Sequence, residues 1–361
     1  MRRKICIVSP SLQVGGIERM LTLIANYFFK RGLEVTFISC LNKDKFYQLE
    51  SGIDLIEPPF ERTSRPINKV LYYVRLVFFL RRQVLKANPE AVLSFGEWFN
   101  PVVLLALYGT KFPVFISDRT SPDFRFFFPI PQLIQWLYPR SEALIVQTQI
   151  AYKYKLRQFN NKVRVHVIPN AIRNINLDPA IKREKIILYV GRLSWEKGPD
   201  RLIRAYFDIP DKDNWELHFA GSGPLIDEMK QLANSFSTTG TVVFYGNVKD
   251  IDSLYAKAGI YVIPSLLEGF PNSLCEAMAA GLPCICFDSI PYSEIFTNHH
   301  DGIAVKSDDI KGLSTAMIDL MNSDGLRERI GSNARNIGER LSIERVGEQF
   351  YKLIFEDEFS L

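Results

Sequence analysis

The segment Ser265-Leu266-Leu267-Glu268-Gly269-Phe270-Pro271-Asn272-Ser273-Leu274-Cys275-Glu276-Ala277-Met278-Ala279-Ala280-Gly281 sets two carboxylates around a glycine–proline loop. Pro271 and Asn272 suit the start of a helix, so Glu268 falls in the loop and Glu276 in the helix that follows. The N–H groups of such a helix start take phosphate, and a carboxylate can accept hydrogen bonds from two vicinal hydroxyls. A single glutamate in a helix is ordinarily a solvated residue. A second one flanking this loop, beside an otherwise apolar helix, points to phosphate plus polyol, as in a nucleotide sugar. A second constellation is Tyr189-Val190-Gly191-Arg192-Leu193-Ser194-Trp195-Glu196-Lys197-Gly198. Arg192 as a fork and Lys197 as a point charge can grip a diphosphate, although two basic residues alone also describe a solvated surface. This is not a Walker A loop, because Lys197 precedes Gly198 and no Ser or Thr follows. A third signal, Val14-Gly15-Gly16-Ile17-Glu18-Arg19, is either a ligand-approach loop or a plain turn.

The elements that must position these residues alternate β-branched runs with helical patterns, which predicts parallel α/β units. Strands are predicted at residues 4–9, 34–39, 53–57, 91–95, 114–117, 143–147 and 163–168, with a first amphipathic helix over about 17–31. A polar stretch after Pro169-Asn170-Ala171, running to Lys185, reads as a linker. A second alternation has strands at 186–190, 216–220, 241–245, 260–264 and 283–287, and residues 308–356 read as nearly all helix. Two doubly wound Rossmann-like domains are expected, over residues 1–172 and 173–340, with a terminal helix over 341–361 packing back on the first domain. Such sheets bind ligands at their strand C-termini, here in a cleft between the domains.

Size agrees: 361 residues at roughly 150 per domain suggests two domains. Hydrophobic residues make up 47% and charged residues 23%, an ordinary globular composition that excludes disordered, collagenous and disulfide-stapled classes. The net charge of +4 hides a division. Residues 1–175 hold 25 Lys/Arg against 12 Asp/Glu, a balance of +13, and residues 176–361 hold 19 against 28, a balance of −9. The five cysteines Cys6, Cys40, Cys275, Cys284 and Cys286 sit mostly in apolar runs and read as reduced, buried thiols of a cytoplasmic protein. No apolar run of about 18 residues is present to span a bilayer.

Taken in order along the chain, these landmarks resemble glycosyltransferase family 4, with its GT-B architecture. Glu268 to Glu276 fits the family's Glu-x7-Glu motif. Gly191-Arg192 with Lys197-Gly198, the Ala220-Gly221-Ser222-Gly223-Pro224 turn, Gly246-Asn247-Val248 and Gly15-Gly16 fit its other landmarks. The resemblance implies a retaining transferase that needs neither cofactor nor metal. It implies that Arg192 and Lys197 bind the donor diphosphate and stabilise the departing nucleotide, and that Glu276 holds the ribose. Glu268, with the backbone of Gly269, Phe270, Pro271 and Asn272, would hold the transferred sugar, and Ser273 and Leu274 complete that helix start. Gly191 and Asn247 belong to the same donor pocket, Val248 would meet the base, and Gly16 would lie against the donor from the first domain. Many members carry a histidine after the strand equivalent to 114–117. This chain has Asp118-Arg119 there, expected at the reaction cleft unless the pair merely fixes a loop, and its His166 lies in a strand.

Residues 65–140 contain 16 of the chain's 45 aromatics, interleaved with bases. On a helix Arg75, Arg82 and Lys86 share one stripe, with Leu71 and Phe79 beside it. The Phe124-Arg125-Phe126-Phe127-Phe128-Pro129 loop, with Phe126 and Phe127 at its centre, is too apolar for water alone. A basic face with aromatic neighbours suits an anionic inner leaflet, and a core helix with a solvated basic edge is the plainer reading. No RNA- or DNA-binding motif accompanies the charge, so no nucleic-acid partner is expected. With the family, the pattern implies a bacterial enzyme, peripheral on the cytoplasmic membrane, acting on a polyprenyl-diphosphate-linked saccharide in surface-polysaccharide or lipopolysaccharide assembly. A UDP-sugar is the favoured donor. A GDP-sugar, or a soluble acceptor, is the nearest alternative, and a non-enzymatic lipid- or sugar-binding protein is the rival from another class. A dinucleotide oxidoreductase would need Gly-x-Gly-x-x-Gly after a first strand, which neither half provides. Asp211-Lys212-Asp213 could mark a metal-dependent transferase, but it sits in a Pro-Asp-Lys-Asp-Asn turn.

Overall fold

Short β-branched runs, too apolar to face water on either side, form two all-parallel sheets covered by helices on both faces. A computed structural model describes residues 2–13, 15–41, 45–61, 66–178, 180–236 and 239–356, with main chain only at 66–69. Val14 of the first glycine turn lies outside these residues. The chain divides into two units, Met1–Ala171 with Ile343–Leu361, and Ile172–Ser342.

The first unit holds strands β1 (Lys4–Ser9), β2 (Glu34–Ser39), β3 (Asp54–Ile56), β4 (Ala91–Phe95), β5 (Val114–Ser117), β6 (Ala143–Val146) and β7 (Val165–Val167). Their order in the sheet is β3-β2-β1-β4-β5-β6-β7. Helices α1 (Gly16–Lys30), α2 (Pro66–Ala87), α3 (Asn100–Ala106), α4 (Ile130–Leu137) and α5 (Gln149–Gln158) connect them. One sheet face packs on α2 through Tyr72, Leu76, Leu80 and Val84, a stripe at four-residue spacing. The other packs on α1 and on the chain's last helix.

The second unit holds β8 (Ile186–Val190), β9 (Glu216–Ala220), β10 (Val242–Gly246), β11 (Ile260–Ile263), β12 (Cys284–Phe287) and β13 (Ile303–Val305), in the order β10-β9-β8-β11-β12-β13. Its helices are α6 (Pro199–Phe207), α7 (Ile226–Asn234), α8 (Ile251–Lys257), α9 (Asn272–Ala279), α10 (Ile310–Met321), α11 (Asp324–Ala334) and α12 (Asn336–Arg340). Helix α13 (Ile343–Phe355) then belongs to the first unit. It lays Phe350 against Phe95, with ring centroids 5.9 Å apart, and Tyr351 against Phe28. Its Glu348 accepts a hydrogen bond from the Tyr27 hydroxyl at 2.9 Å and pairs with Arg31.

Each sheet reverses its strand order once, between β1 and β4 in the first unit and between β8 and β11 in the second. At such a reversal the loops leaving neighbouring strands part, which opens a crevice at their C-terminal ends. All five cysteines are buried free thiols. Strand β13 has no counterpart in the sequence reading. The Asp211–Asp213 turn is a loop: Asp211 accepts from its own Asp213 N–H at 2.9 Å, and Lys185 pairs with Asp213 at 2.6 Å.

Candidate active site

In the second unit the two constellations flanking the strand reversal converge. Strand β8 leads into Gly191-Arg192, and the chain passes through a single 3-10 turn, Trp195–Lys197, before Gly198 and α6. Gly198 adopts φ +61°, and a Cβ there would sit 2.3 Å from the Pro264 carbonyl at the end of β11. Only glycine allows that turn to press against the neighbouring strand. Glu196 adds a second link, its carbonyl accepting from Leu266 N–H at 2.8 Å. The result is that Lys197 Nζ lies 2.5 Å from Glu268 Oε1, which also accepts from the Ser265 hydroxyl at 2.9 Å. The Lys197–Glu268 pair is mostly buried, whereas Arg192 is exposed and makes no ion pair among the described residues.

The 220s loop closes the β9 side. Gly221, at φ +143°, leaves no room for a Cβ, which would stand 1.9 Å from the Gly191 carbonyl. Leu193 N–H donates to Ser222 O, and Gly221 N–H to Gly246 O, so the turns after β8, β9 and β10 interlock and carry Asn247 and Val248 with them. On the other side α9 begins at Asn272 with no side chain capping it, an arrangement suited to an anion. Ser273 is pinned there by the buried Tyr261 hydroxyl at 2.8 Å. Gly269 and Phe270 lead into this start, Pro271 and Leu274 are buried beneath it, and Glu276 is 4% exposed.

Glu276 has partners that the sequence did not indicate. Arg173 Nε stands 3.7 Å from its Oε2, and the Tyr255 hydroxyl 3.4 Å from the same oxygen. Chemically the site offers two cations, an uncapped helix start and two fixed carboxylates. That set matches a nucleoside diphosphate and its sugar.

Residues 14–173 match the family described as Glycosyltransferase Family 4, and residues 173–337 match Glycosyl transferases group 1. The chain belongs to glycosyltransferase family 4. One relative is a Campylobacter jejuni alpha-1,4-N-acetyl-D-galactosaminyltransferase named for the acceptor GalNAc-alpha-(1->4)-GalNAc-alpha-(1->3)-diNAcBac-PP-undecaprenol. It is 26% identical over 98% of this chain and 98% of its own. Among solved structures, sucrose-phosphate synthase from Thermosynechococcus elongatus superposes with a TM-score of 0.82 at 18% identity, covering 99% of this chain and 100% of that one. Anabaena HepE in complex with UDP gives 0.80 at 18% identity over 98% and 100%. The likeness to both is one of fold, the two-domain GT-B architecture.

In the first unit of this family 4 glycosyltransferase Asp118, expected at the reaction cleft or fixing a loop, is a buried and paired carboxylate. Its Oδ2 lies 2.6 Å from Lys155 Nζ, and its Oδ1 accepts from the Tyr138 hydroxyl at 2.7 Å and from Asn100 at 3.3 Å. A buried carboxylate needs such pairing, so Asp118 anchors the end of β5. Arg119 lies 3.9 Å over the Phe95 ring and donates to Asn170 Oδ1 at 2.5 Å. Burial pushes its pKa down to about 9, against the pull of Glu97 and Asp118, which leaves a cation at neutral pH.

Glu97 itself was missed. It follows β4 at the strand reversal, is buried, and accepts from Thr120 N–H at 2.8 Å and Thr120 Oγ1 at 2.9 Å. Burial first, and Asp118 second, raise its pKa. The Phe95-Gly96-Glu97 signal was present, but its meaning depends on strand order. Gly16 is the first residue of α1 and is exposed, and Glu18 in the same first turn accepts from the Ser11 hydroxyl at 2.9 Å.

Along α2, Arg75, Arg82 and Lys86 are all exposed, and beside them run exposed Val70, Leu71, Val74, Phe78 and Leu85. Phe78 is 69% exposed, and Phe79, also beside this stripe, is half-buried against Phe60 with ring centroids 5.9 Å apart. In the aromatic loop Phe127 is 88% exposed and Phe128 nearly as much, while Phe126 is half-buried against Phe124. No helix among the described residues is long and apolar enough to cross a membrane.

Proposed function

We propose that this enzyme transfers a sugar, with retention and without a metal ion, from a UDP-sugar to a saccharide on a polyprenyl diphosphate. It would work at the inner face of a bacterial cytoplasmic membrane, in surface-polysaccharide assembly. The observation that carries the reading is the Lys197–Glu268 pair beside exposed Arg192, at the strand reversal and next to the uncapped start of α9. Lys197, held on Glu268, and the exposed Arg192 are two cations that can stabilise the charge that develops on a departing nucleoside diphosphate, which is the principal task of such a transfer. Glu268 then orients the sugar, Glu276 takes the ribose hydroxyls, and Asn247, Val248 and the Gly269–Leu274 backbone complete the donor pocket. The acceptor reading is supported by the exposed apolar and basic face of α2, by the Phe127–Phe128 loop, and by the lipid-diphosphate acceptor in the Campylobacter relative's name.

The test is a thermal-shift screen against UDP, GDP and ADP, followed by nucleotide release from the sugar donor on vesicles carrying a polyprenyl-diphosphate saccharide, with and without a chelator. Stabilisation by UDP, and release that survives the chelator, are expected. Stabilisation by GDP alone would move the donor to a GDP-sugar. No stabilisation by any of the three would remove the donor-site assignment.

A further inference from the structure

Glu276 sits on a helix whose neighbours Leu274, Cys275, Ala277 and Met278 are all buried apolar residues, so its charge is held at a cost unless a cation meets it. Arg173 supplies that cation from the segment after β7, which reads in the sequence as a polar linker. The guanidinium bridges two carboxylates, pairing with Asp252 through Nη2 and facing Glu276 Oε2 through Nε. Asp252 is itself fixed, because its Oδ2 accepts from Asn176 N–H at 3.1 Å. It stands in the first turn of α8, just after Val248, so the bridge ties the segment expected to meet the base to the carboxylate expected to meet the ribose. The Tyr255 hydroxyl, fully buried, reaches the same Oε2 and the Ser273 carbonyl, each at 3.4 Å. Burial lowers the Arg173 pKa, but Asp252 and Glu276 more than offset it, and the residue stays a cation.

We propose that Arg173 is a positioning residue for the donor nucleotide: by engaging Glu276 Oε2 from a guanidinium anchored on Asp252, it sets the plane of that carboxylate toward the vicinal ribose hydroxyls. This rests on the reading of Glu276 as the ribose ligand. A planar, permanently charged fork suits the task, because it holds two carboxylates at once in a fixed relation. Lysine would supply charge without the plane.

The experiment compares dissociation constants for UDP and 2'-deoxy-UDP in the wild type and in Arg173→Gln. If GDP is the stabilising nucleotide, the matching guanosine pair is used. The wild type is expected to prefer the ribonucleotide at least about tenfold, as losing one hydrogen bond to a charged group implies. In Arg173→Gln the preference should fall to within about twofold, through weaker binding of UDP while 2'-deoxy-UDP is unchanged. A merely structural role would weaken both nucleotides alike and leave their ratio intact, and that result overturns the proposal. Should Arg173→Gln fail to fold, Asp252→Asn removes the anchor and is expected to cut the preference at least threefold; an unchanged ratio counts equally against the proposal. A wild type that binds both nucleotides alike instead refutes the ribose role of Glu276 on which the inference rests.

Discussion

Lys197 is the side chain on which the donor reading bears hardest, because it is held 2.5 Å from Glu268 in a mostly buried setting. Lys197→Ala should weaken UDP binding by about 1.5–3 kcal/mol, the worth of a hydrogen bond to a charged group, and should abolish most turnover. Calorimetry and initial rates check both, and full turnover would contradict the role. A second residue-level test is pH. His166 is pushed down to about 4, first by burial and then by Arg164, against 6.5 when free. Between those values the unfolded chain binds a proton that the folded one does not, so stability falls as pH drops from 6.5 toward 4. His166→Gln should flatten that fall in the melting temperature, and an unchanged slope would show that other groups set it. At this scale the sequence discloses residues that stand in short motifs, Lys197 in one and Glu268 with Glu276 in another. It does not disclose Asp118's burial, because the neutralising Lys155 comes from α5, nor the partnership of Arg173 with Glu276, because no local pattern joins a linker residue to a helix in the second unit.

Helix α2 shows two faces, one buried and one exposed. Its inner stripe of Tyr72, Leu76, Leu80 and Val84 is core, and Leu80→Ala should cost about 2–5 kcal/mol in denaturant unfolding without changing vesicle binding. Its outer bases do the opposite. Reversing the charge at Arg75, Arg82 and Lys86 together should release the protein from anionic vesicles in a flotation assay while leaving the melting temperature within a degree or two. Vesicle binding that survives the triple reversal would remove the membrane reading. The basic stripe was legible once these residues were placed on a helix. Which phenylalanine faces out was not, because Phe78 and Phe79 are adjacent on the helix and the choice depends on where Phe60 packs. Most strands were legible to within a residue or two for the same reason that they are buried: β-branched runs bounded by turn residues have few other solutions. The order of those strands was not, and with it went the special position of Glu97 at the β1–β4 reversal.

At the scale of the whole molecule the charge division follows the chain's two units, basic in the first and acidic in the second. An acidic unit that binds an anionic nucleotide must do so with local cations and not with its overall field. Arg192 and Lys197, together with the N–H groups at the start of α9, are the local set that the donor reading offers, and every one of them lies within Ile172–Ser342. Each of the two units also carries its own buried apolar clusters. The first unit, by contrast, is discontinuous, because α13 covers Phe28 and Phe95 from the far end of the chain. The two halves should therefore tolerate separation unequally. A fragment of residues 172–342 is expected to fold alone and to bind UDP within about tenfold of the full chain, since its core and donor residues are intact. A fragment of residues 1–171 should be insoluble or molten, because losing α13 opens an apolar face across α1 and β4, and adding back residues 343–361 in trans or by fusion should restore it. Melting curves and UDP titrations of the two fragments decide the matter. If 172–342 folds with a sharp melting transition yet binds no nucleotide, the donor site needs residues outside this unit and the assignment of recognition to its loops falls.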